Sequence, residues 1–78
     1  MNENLTKFIT SDPDVMLGKP VIKGTRITVE LILEKVASGE SIEQIQSEHP
    51  HITTAQIKAA LEYVAAVYKS DTVYPVNS

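Results

Sequence analysis

Two glycine-containing segments near the N-terminus contain residue types found in phosphate-binding loops. They are Gly18-Lys19 and Gly24-Thr25-Arg26. A phosphate loop of the G-x-x-x-x-G-K-[ST] type needs Lys and then Ser or Thr directly after its second Gly, so that backbone N–H groups surround the phosphates. Here Pro20 follows the first Gly-Lys pair and no Lys follows Gly24. The spacing therefore does not predict nucleotide binding.

Three basic side chains in the same region indicate a different chemistry. Lys19, Lys23 and Arg26 form a cluster of positive charge, although the chain as a whole carries a net charge of -3. Residues 28–62, by contrast, contain six Glu and two Lys. Ammonium and guanidinium groups bind phosphate oxygens without reading base sequence. We therefore expect this cluster to contact DNA phosphates or an acidic partner surface, and a solvated turn is the alternative.

The remaining residues do not predict catalysis or metal binding. His49 and His51 flank Pro50, which holds the segment extended, and no cysteine or third ligand accompanies them. A nucleophile needs an adjacent base, and a general acid or base needs a partner in a pocket. The sequence contains neither arrangement, because its hydroxyl residues are typical of helix caps and its glutamates of solvated helix faces. We expect no enzyme activity, no cofactor, no metal and no small-molecule substrate.

Length and composition predict one small domain. The chain has 78 residues, of which 42% are hydrophobic, and it has no cysteine. A domain of this size buries only about 60% of the surface of its unfolded chain, so it depends on good helix packing or self-association. No apolar run approaches the roughly 20 residues of a membrane span, and the N-terminus lacks the pattern of a secretion signal. We expect a cytoplasmic protein with no membrane partner.

Residues 1–27 are predicted to form extended segments and turns, because Pro and Gly recur there and helical periodicity is absent. We expect one short strand over residues 7–10. We also expect a small hairpin in which residues 20–22 pair with residues 26–27, since Gly24 permits a positive φ in the turn between them.

From residue 28 onward, apolar residues recur with the period of a helix. The first helix is predicted over residues 28–38, with Thr28 as its N-cap and Gly39 as a left-handed C-cap. Ser41 and Gln44 have the spacing of a capping box, which predicts a second helix that ends near residue 48.

The third helix is predicted over residues 54–69, after another capping box, and it carries apolar residues on two faces. One face has the spacing of a core-facing helix. Its residues are Ile57, Ala60, Leu61, Val64, Ala65 and Tyr68. The opposite face, together with one residue of the first helix, is predicted to be a protein interface. Its residues are Leu31, Ala59, Tyr63, Ala66 and Val67. Alternatively, the N-terminal strands or the tail over residues 70–78 cover this face within one chain.

Three helices of this outline are typical of a homeodomain-like helix-turn-helix domain, in which the third helix reads DNA with its early exposed residues. The residues expected to bind DNA are Lys19, Lys23, Arg26, Thr54, Gln56 and Lys58. The predicted fold is mostly α, a small α+β fold. An N-terminal β element and hairpin over residues 1–27 form one domain with a three-helix bundle over residues 28–69, and the tail follows. A dimer would double the basic hairpins, because one copy carries few cations.

A long stretch of the sequence closely resembles domain-of-unknown-function family 433. The string GKPVIKGTRI at residues 18–27 carries the resemblance, which continues through residues 29–33, 49–53 and 57–63 and covers about residues 8–66. The chain departs from the family pattern at Lys23, where Arg is usual, and at Thr28 and Ile42, where Pro is usual or frequent. Lys23 keeps the positive charge of the usual Arg, and Thr28 and Ile42 are compatible with the predicted starts of the first two helices.

The resemblance implies a trihelical domain preceded by a small β element, with no catalytic residues. It also implies a VapB-like antitoxin of a bacterial type II toxin–antitoxin pair, which binds and inhibits a PIN-like ribonuclease toxin and represses their shared promoter. We therefore expect a homodimer or higher oligomer, with the toxin and operator DNA as partners. The alternatives are a stand-alone DNA-binding transcriptional regulator and a small protein–protein adaptor with no nucleic-acid role.

Overall fold

A computed structural model describes residues 7–70 of the chain. Two short strands, β1 (Ile9–Thr10) and β2 (Val21–Ile22), precede three helices. The helices are α1 (Val29–Ala37), α2 (Ile42–Glu48) and α3 (Thr54–Ser70). This architecture confirms the predicted mostly helical α+β fold. The expected tail lies outside the described residues except for Ser70, which ends α3. In the described part of the chain, no helix is long and apolar enough to cross a membrane.

The strands pair differently from the predicted hairpin. β1 and β2 are antiparallel, with Ile9 opposite Ile22 and Thr10 opposite Val21. The expected strand over residues 7–10 is therefore only two residues long. The expected pairing of β2 with residues 26–27 is reduced to a bridge between Val21 and Thr28 and one bond from the Ile22 N–H to the Ile27 carbonyl, 2.9 Å. The reason is that Thr28 is the N-cap of α1, so the chain enters the helix at Val29 and leaves the sheet after one bridge.

α1 has the predicted caps at both ends. The Leu31 N–H donates to Thr28 Oγ1 over 3.0 Å, which satisfies one of the unpaired donors of the first turn. At the other end, Gly39 has φ +100°, its N–H donates to the Val36 carbonyl, and the Glu40 N–H donates to the Lys35 carbonyl. This pair of bonds is a Schellman motif, which needs the left-handed conformation that Gly adopts without strain.

α2 and α3 both begin with the predicted capping boxes. The Gln44 N–H donates to Ser41 Oγ, and the Ser41 N–H donates to Gln44 Oε1 over 2.7 Å. The Gln56 N–H likewise donates to Thr53 Oγ1, and the Thr53 N–H donates to Gln56 Oε1 over 2.7 Å. Each box satisfies two backbone donors, so it defines where its helix begins.

The core is a single cluster in which isoleucine predominates. α3 packs against α1 and α2, and both strands also contact it. The buried residues of the cluster are Ile9, Ile22, Ile27, Val29, Ile32, Ile45, Ile52, Ile57, Ala59 and Ala60. Each fully buried isoleucine contributes about 2 to 3 kcal/mol of apolar burial. The core thus includes residues from both strands and all three helices.

Candidate DNA-binding and protein-binding surfaces

The predicted basic cluster is built on a tight turn between β2 and α1, which we call the basic turn (residues 23–26). Gly24 has φ +83°, as predicted for this position. Thr25 Oγ1 donates to the Ile22 carbonyl over 2.7 Å and accepts from the Ile27 N–H over 3.0 Å. The Thr25 hydroxyl therefore links the two ends of the turn by hydrogen bonds. The side chains of Lys23 and Arg26 are exposed.

Arg26 also lines an open depression beside the basic turn. The depression has a volume of about 480 Å³ and lies between the turn and the segment that follows β1. Its charged residues are Arg26 and Asp12, on a floor that includes Val15 and Val21. Because a carboxylate and a guanidinium share this depression, it is not selective for anions.

Lys19, the third member of the predicted cluster, is held by an intramolecular ion pair. Its ammonium lies 2.8 Å from Glu30 Oε1 on α1. The hydrogen bond to Glu30 is the main reason why the pKa of Lys19 is raised, and Coulomb attraction to Glu30 adds to it. A phosphate would have to compete with this carboxylate, so Lys19 is less suited to DNA than Lys23 or Arg26.

The first turns of α3 contain the other residues expected to bind DNA. Thr54 and Lys58 are exposed. Gln56 is half-buried, and its Oε1 already accepts from the Thr53 N–H in the capping box. A bidentate contact to adenine needs both the oxygen and the nitrogen of the carboxamide, so it would require Gln56 to leave the cap. Among residues 7–69, no described hydrogen bond or ion pair joins the start of α3 to the basic turn.

The predicted protein interface is partly covered within the chain. Ala59 is 1% exposed and belongs to the core, so its assignment to an exposed face is wrong. Leu31 and Tyr63 are half-buried and pack against the same cluster. The same cluster includes Ile9 and Ile22 of the two strands, and α3 contacts both strands as well as the other two helices. Of the predicted interface residues, Ala66 is half-buried and Val67 is exposed.

The apolar residues that stay most exposed on α3 lie in its last turns. Val67 is 42% exposed and Tyr68 is 61% exposed. Tyr68 was expected to face the core, but that expectation is wrong, because the core cluster includes no residue of α3 beyond Val64. We call Val67 and Tyr68 the exposed end of α3.

An apolar groove lies between α1, α3 and the segment before β2. Its volume is about 320 Å³, and we call it the α1–α3 groove. The residues that line it are Lys19, Pro20, Val29, Glu30, Leu33 and Val64. The Val29 N–H donates to the Pro20 carbonyl over 3.0 Å, which ties one wall to the start of α1. The ion pair between Lys19 and Glu30 forms the charged rim.

A left-handed turn precedes this groove. Met16, Leu17 and Gly18 all have positive φ, of 50°, 59° and 81°. Such a conformation costs an ordinary L-residue roughly 1 to 2 kcal/mol. The turn is closed by the Gly18 N–H to the Val15 carbonyl and the Lys19 N–H to the Met16 carbonyl, both 3.1 Å. It leaves the Leu17 side chain 92% exposed.

Comparison with known proteins places the chain in a family. A family model described as "Protein of unknown function (DUF433)" matches residues 9–64, which is most of the chain. The chain belongs to this family. A curated relative from Sinorhizobium fredii (strain NBRC 101917 / NGR234), "Uncharacterized protein y4eO", is 35% identical over 60 residues. The aligned region is 77% of this chain but only 27% of that relative. No solved structure matches the chain.

The DUF433 match includes some of these surfaces and leaves out others. It covers the left-handed turn, the basic turn and every residue of the α1–α3 groove. The exposed end of α3 lies beyond residue 64, outside the matched region. The groove and the two turns therefore belong to the part of the chain that has the family pattern.

The two histidines of this DUF433 chain do not face each other as metal ligands would. Their ring centroids are 6.3 Å apart, and the ring planes meet at 78°. Within the described residues, no group of three His, Asp or Glu side chains could hold a metal ion. Besides the pair of Lys19 and Glu30, the ionised groups that meet are Lys35, Glu40 and Glu48, which connect α1, the following loop and α2.

Met16, Leu17, Leu33 and Tyr68 are exposed apolar residues that the sequence did not predict to be exposed. Leu33 and Tyr68 have core-facing spacing, so periodicity places them inside. Leu17 precedes a Gly, and this dipeptide was the available signal for a left-handed turn. Among the described residues, Leu17 at 92% and Tyr68 at 61% are the most exposed large apolar side chains, followed by Met16, Leu33 and Val67.

Proposed function

We propose that the protein is a non-catalytic antitoxin, similar to VapB-like antitoxins, which binds and inhibits a PIN-like ribonuclease and represses their shared promoter. The observation that carries the proposal is the exposed end of α3. Val67 and Tyr68 present apolar surface on a helix that continues beyond the core. Partly exposed aromatic and aliphatic side chains of this kind are typical of protein contact surfaces. The family resemblance supplies the class of partner.

DNA binding is the second part of the proposal. It is supported by the succession of α2, a turn and α3, which is the order of a homeodomain-like helix-turn-helix. It is also supported by Lys23 and Arg26, which are exposed and form no ion pair within residues 7–69. Because Lys19 and Gln56 are engaged within the chain, we assign the phosphate contacts to the basic turn.

The test is isolation of the complex followed by an activity assay. The tagged full chain is purified from nuclease-treated extract of its host, and co-purifying proteins are identified by mass spectrometry. We expect a stoichiometric PIN-like ribonuclease whose cleavage of RNA is suppressed by this chain. Val67→Asp, which places a charge on the exposed end of α3, should relieve the suppression. Thr54→Asp, also at an exposed site on α3, is the control and should not. A ribonuclease that stays active in the complex contradicts the proposal.

A stand-alone DNA-binding regulator is the second candidate, favoured by the exposed cations of the basic turn. Binding to promoter DNA, followed by fluorescence anisotropy, should then weaken steeply with salt, because each phosphate contact contributes about -0.9 to the log–log slope. Lys23→Ala should make the slope about one unit shallower. Lys69→Ala changes a cation that was not expected to bind DNA and should leave the slope unchanged. Tight promoter binding without a toxin favours this candidate.

A further inference from the structure

We propose that the basic turn is a preformed binding site for one phosphate group, whose oxygens accept hydrogen bonds from two backbone N–H groups beside two cationic side chains. The phosphate is that of a DNA backbone, so this inference rests on the DNA-binding part of the proposed function. It is independent of the toxin, because the basic turn shares no residue with the exposed end of α3. The residues of the site are Lys23, Gly24, Thr25 and Arg26.

Hydrogen bonds attach the backbone of the basic turn to its surroundings. The Lys23 N–H donates to the carbonyl of Phe8, which precedes β1, over 2.7 Å. The Thr25 N–H donates to the Ile22 carbonyl of β2 over 3.0 Å, and the two bonds of the Thr25 hydroxyl add to it. The shape of the turn is therefore set before any ligand arrives, which lowers the cost of ordering it on binding.

Two backbone donors of the turn are left for a ligand. Within residues 7–69, no hydrogen bond engages the N–H of Gly24 or the N–H of Arg26. Both residues are exposed, and both line the depression beside the turn. Open N–H groups of a turn form anion-binding concavities in proteins. The turn thus offers phosphate oxygens two donors in addition to its charged side chains.

Gly24 keeps the space next to this backbone clear. A Cβ added there would meet no atom within 4 Å, so the surface above Gly24 is open. Its φ of +83° suits Gly, and the missing side chain lets a ligand approach the backbone closely. Gly39 is the matched position, because it has φ +100° and the same open space, but its own N–H donates to the Val36 carbonyl.

The charges of the basic turn favour an anion. Lys23 and Arg26 are exposed and form no ion pair within residues 7–69. Asp12 opposes them, because its carboxylate lines the same depression as Gly24 and Arg26. Two cations and two N–H groups outweigh this one carboxylate at the turn itself. We therefore place the phosphate over the turn and not on the floor of the depression, and we expect Asp12 to weaken its binding.

The start of α3 offers a phosphate less than the basic turn does. Its exposed residues Thr54 and Lys58 supply one cation, and Gln56 is engaged in the capping box. The basic turn supplies two cations on four consecutive residues. A DNA backbone should therefore contact the basic turn more closely than the start of α3.

Amide NMR of the full chain tests the site with inorganic phosphate and, separately, with a short duplex of promoter DNA. We expect both probes to move the amide protons of Gly24 and Arg26 downfield, and further than those of Thr54 and Lys58. Sodium chloride at matched ionic strength is the control and should not move them. No shift at the turn with either probe overturns the site.

The two probes separate this inference from the proposed function. DNA that shifts the start of α3 and leaves the basic turn unchanged overturns the site, while DNA binding stands. Phosphate that shifts the turn, without any binding of DNA, supports the anion site and contradicts the DNA-binding part of the proposed function.

Two glycine variants test the close approach to the backbone without a change of charge. Gly24→Ala places a methyl group in the open space and should weaken the binding of both probes by roughly threefold to tenfold, the value of about one hydrogen bond. Gly39→Ala carries the same left-handed strain and should leave binding unchanged. Circular dichroism checks that both variants keep the wild-type helix content. An equal effect of the two variants overturns the site.

Two acid variants test the charge at the turn. Asp12→Asn removes the carboxylate but keeps an oxygen for the Asp14 N–H, which donates to Asp12 Oδ1 over 2.9 Å. It should strengthen the binding of both probes by about twofold to fivefold. Glu43→Gln removes an exposed carboxylate of α2 and should have no such effect. Asp12→Asn that binds no more tightly than Glu43→Gln contradicts the placement of the phosphate.

Discussion

Two irregular segments of this chain, residues 49–53 between α2 and α3 and residues 11–20 between β1 and β2, are built in opposite ways. In the first segment, Ile52 is buried in the core and its N–H donates to the His49 carbonyl over 3.0 Å. The amide of Gln46 donates to the Ile52 carbonyl over 3.3 Å. The segment therefore has both apolar burial and backbone hydrogen bonds, and it ends in the capping box of α3.

The second segment lacks that burial. Met16 and Leu17 adopt positive φ, and both side chains are exposed. Its hydrogen bonds define a shape, but that shape costs conformational energy instead of contributing apolar burial. The comparison shows that residues 49–53 stabilise the fold, whereas the left-handed turn destabilises it. Backbone strain of this kind is typical of binding loops.

The largest expected effect comes from the same truncation in both segments. Ile52→Ala should lower the free energy of unfolding by about 2 to 5 kcal/mol, because it removes three carbons from the core and leaves a cavity. Leu17→Ala should change it by no more than about 0.5 kcal/mol, because the side chain is exposed. Urea denaturation of the two variants measures both values. Equal losses would contradict the contrast between the segments.

The capping box of α3 gives the next effect. Thr53→Ala should destabilise the protein by about 1 kcal/mol, because the Gln56 N–H loses its side-chain acceptor. Thr54→Ala is the matched control, since Thr54 is exposed and no described side-chain bond involves it, and it should change the stability by less than about 0.5 kcal/mol. Thermal melting of both variants distinguishes the cap from an ordinary surface threonine.

The left-handed turn should respond with the opposite sign. Leu17→Gly should stabilise the monomer by roughly 0.5 to 1 kcal/mol, because relief of the left-handed strain exceeds the extra entropy of Gly in the unfolded chain. The measurement is urea denaturation at a concentration where the protein is monomeric. Gly18→Ala, at φ +81°, should destabilise it. A less stable Leu17→Gly monomer would show that the turn is not strained.

The smallest effect concerns the ion pair between α1 and α2, where Lys35 lies 2.8 Å from Glu48. The hydrogen bond to Lys35 is the main cause that lowers the pKa of Glu48 from its ordinary 4.5, and the same bond is the main cause that raises the pKa of Lys35 from 10.5. The stabilisation should therefore be present near neutral pH. At low pH, the stabilisation should be lost as the pH falls below 4.5 and passes the lowered pKa of Glu48. At high pH, it should be lost as the pH rises above 10.5 and passes the raised pKa of Lys35.

The corresponding measurement is the unfolding midpoint of the wild type and of Lys35→Met across this pH range. The difference between the two proteins should be largest near neutral pH and should shrink at both ends. Both side chains are partly exposed, so added salt should also reduce the difference. A difference that does not depend on pH would contradict the assigned pair.

The sequence by itself determined the helix ends. Thr28, Ser41 and Thr53 are the N-caps that their spacing predicts, and Gly39 is the predicted left-handed residue at the end of α1. Gly24 likewise has the expected positive φ. These features were predictable because a cap or a tight turn involves atoms only a few residues apart, so its chemistry is contained in a short string.

Only the tertiary structure decided which apolar faces are covered and which charges are engaged. Ala59 is buried in the core cluster that both strands and all three helices form. Tyr68 is exposed because the core ends before it, and Lys19 is paired with a glutamate eleven residues away. Periodicity assigns a side chain to a face of a helix, but it does not say which element lies opposite that face. Burial and ion pairing depend on the opposing element, and that is set by how the whole chain packs.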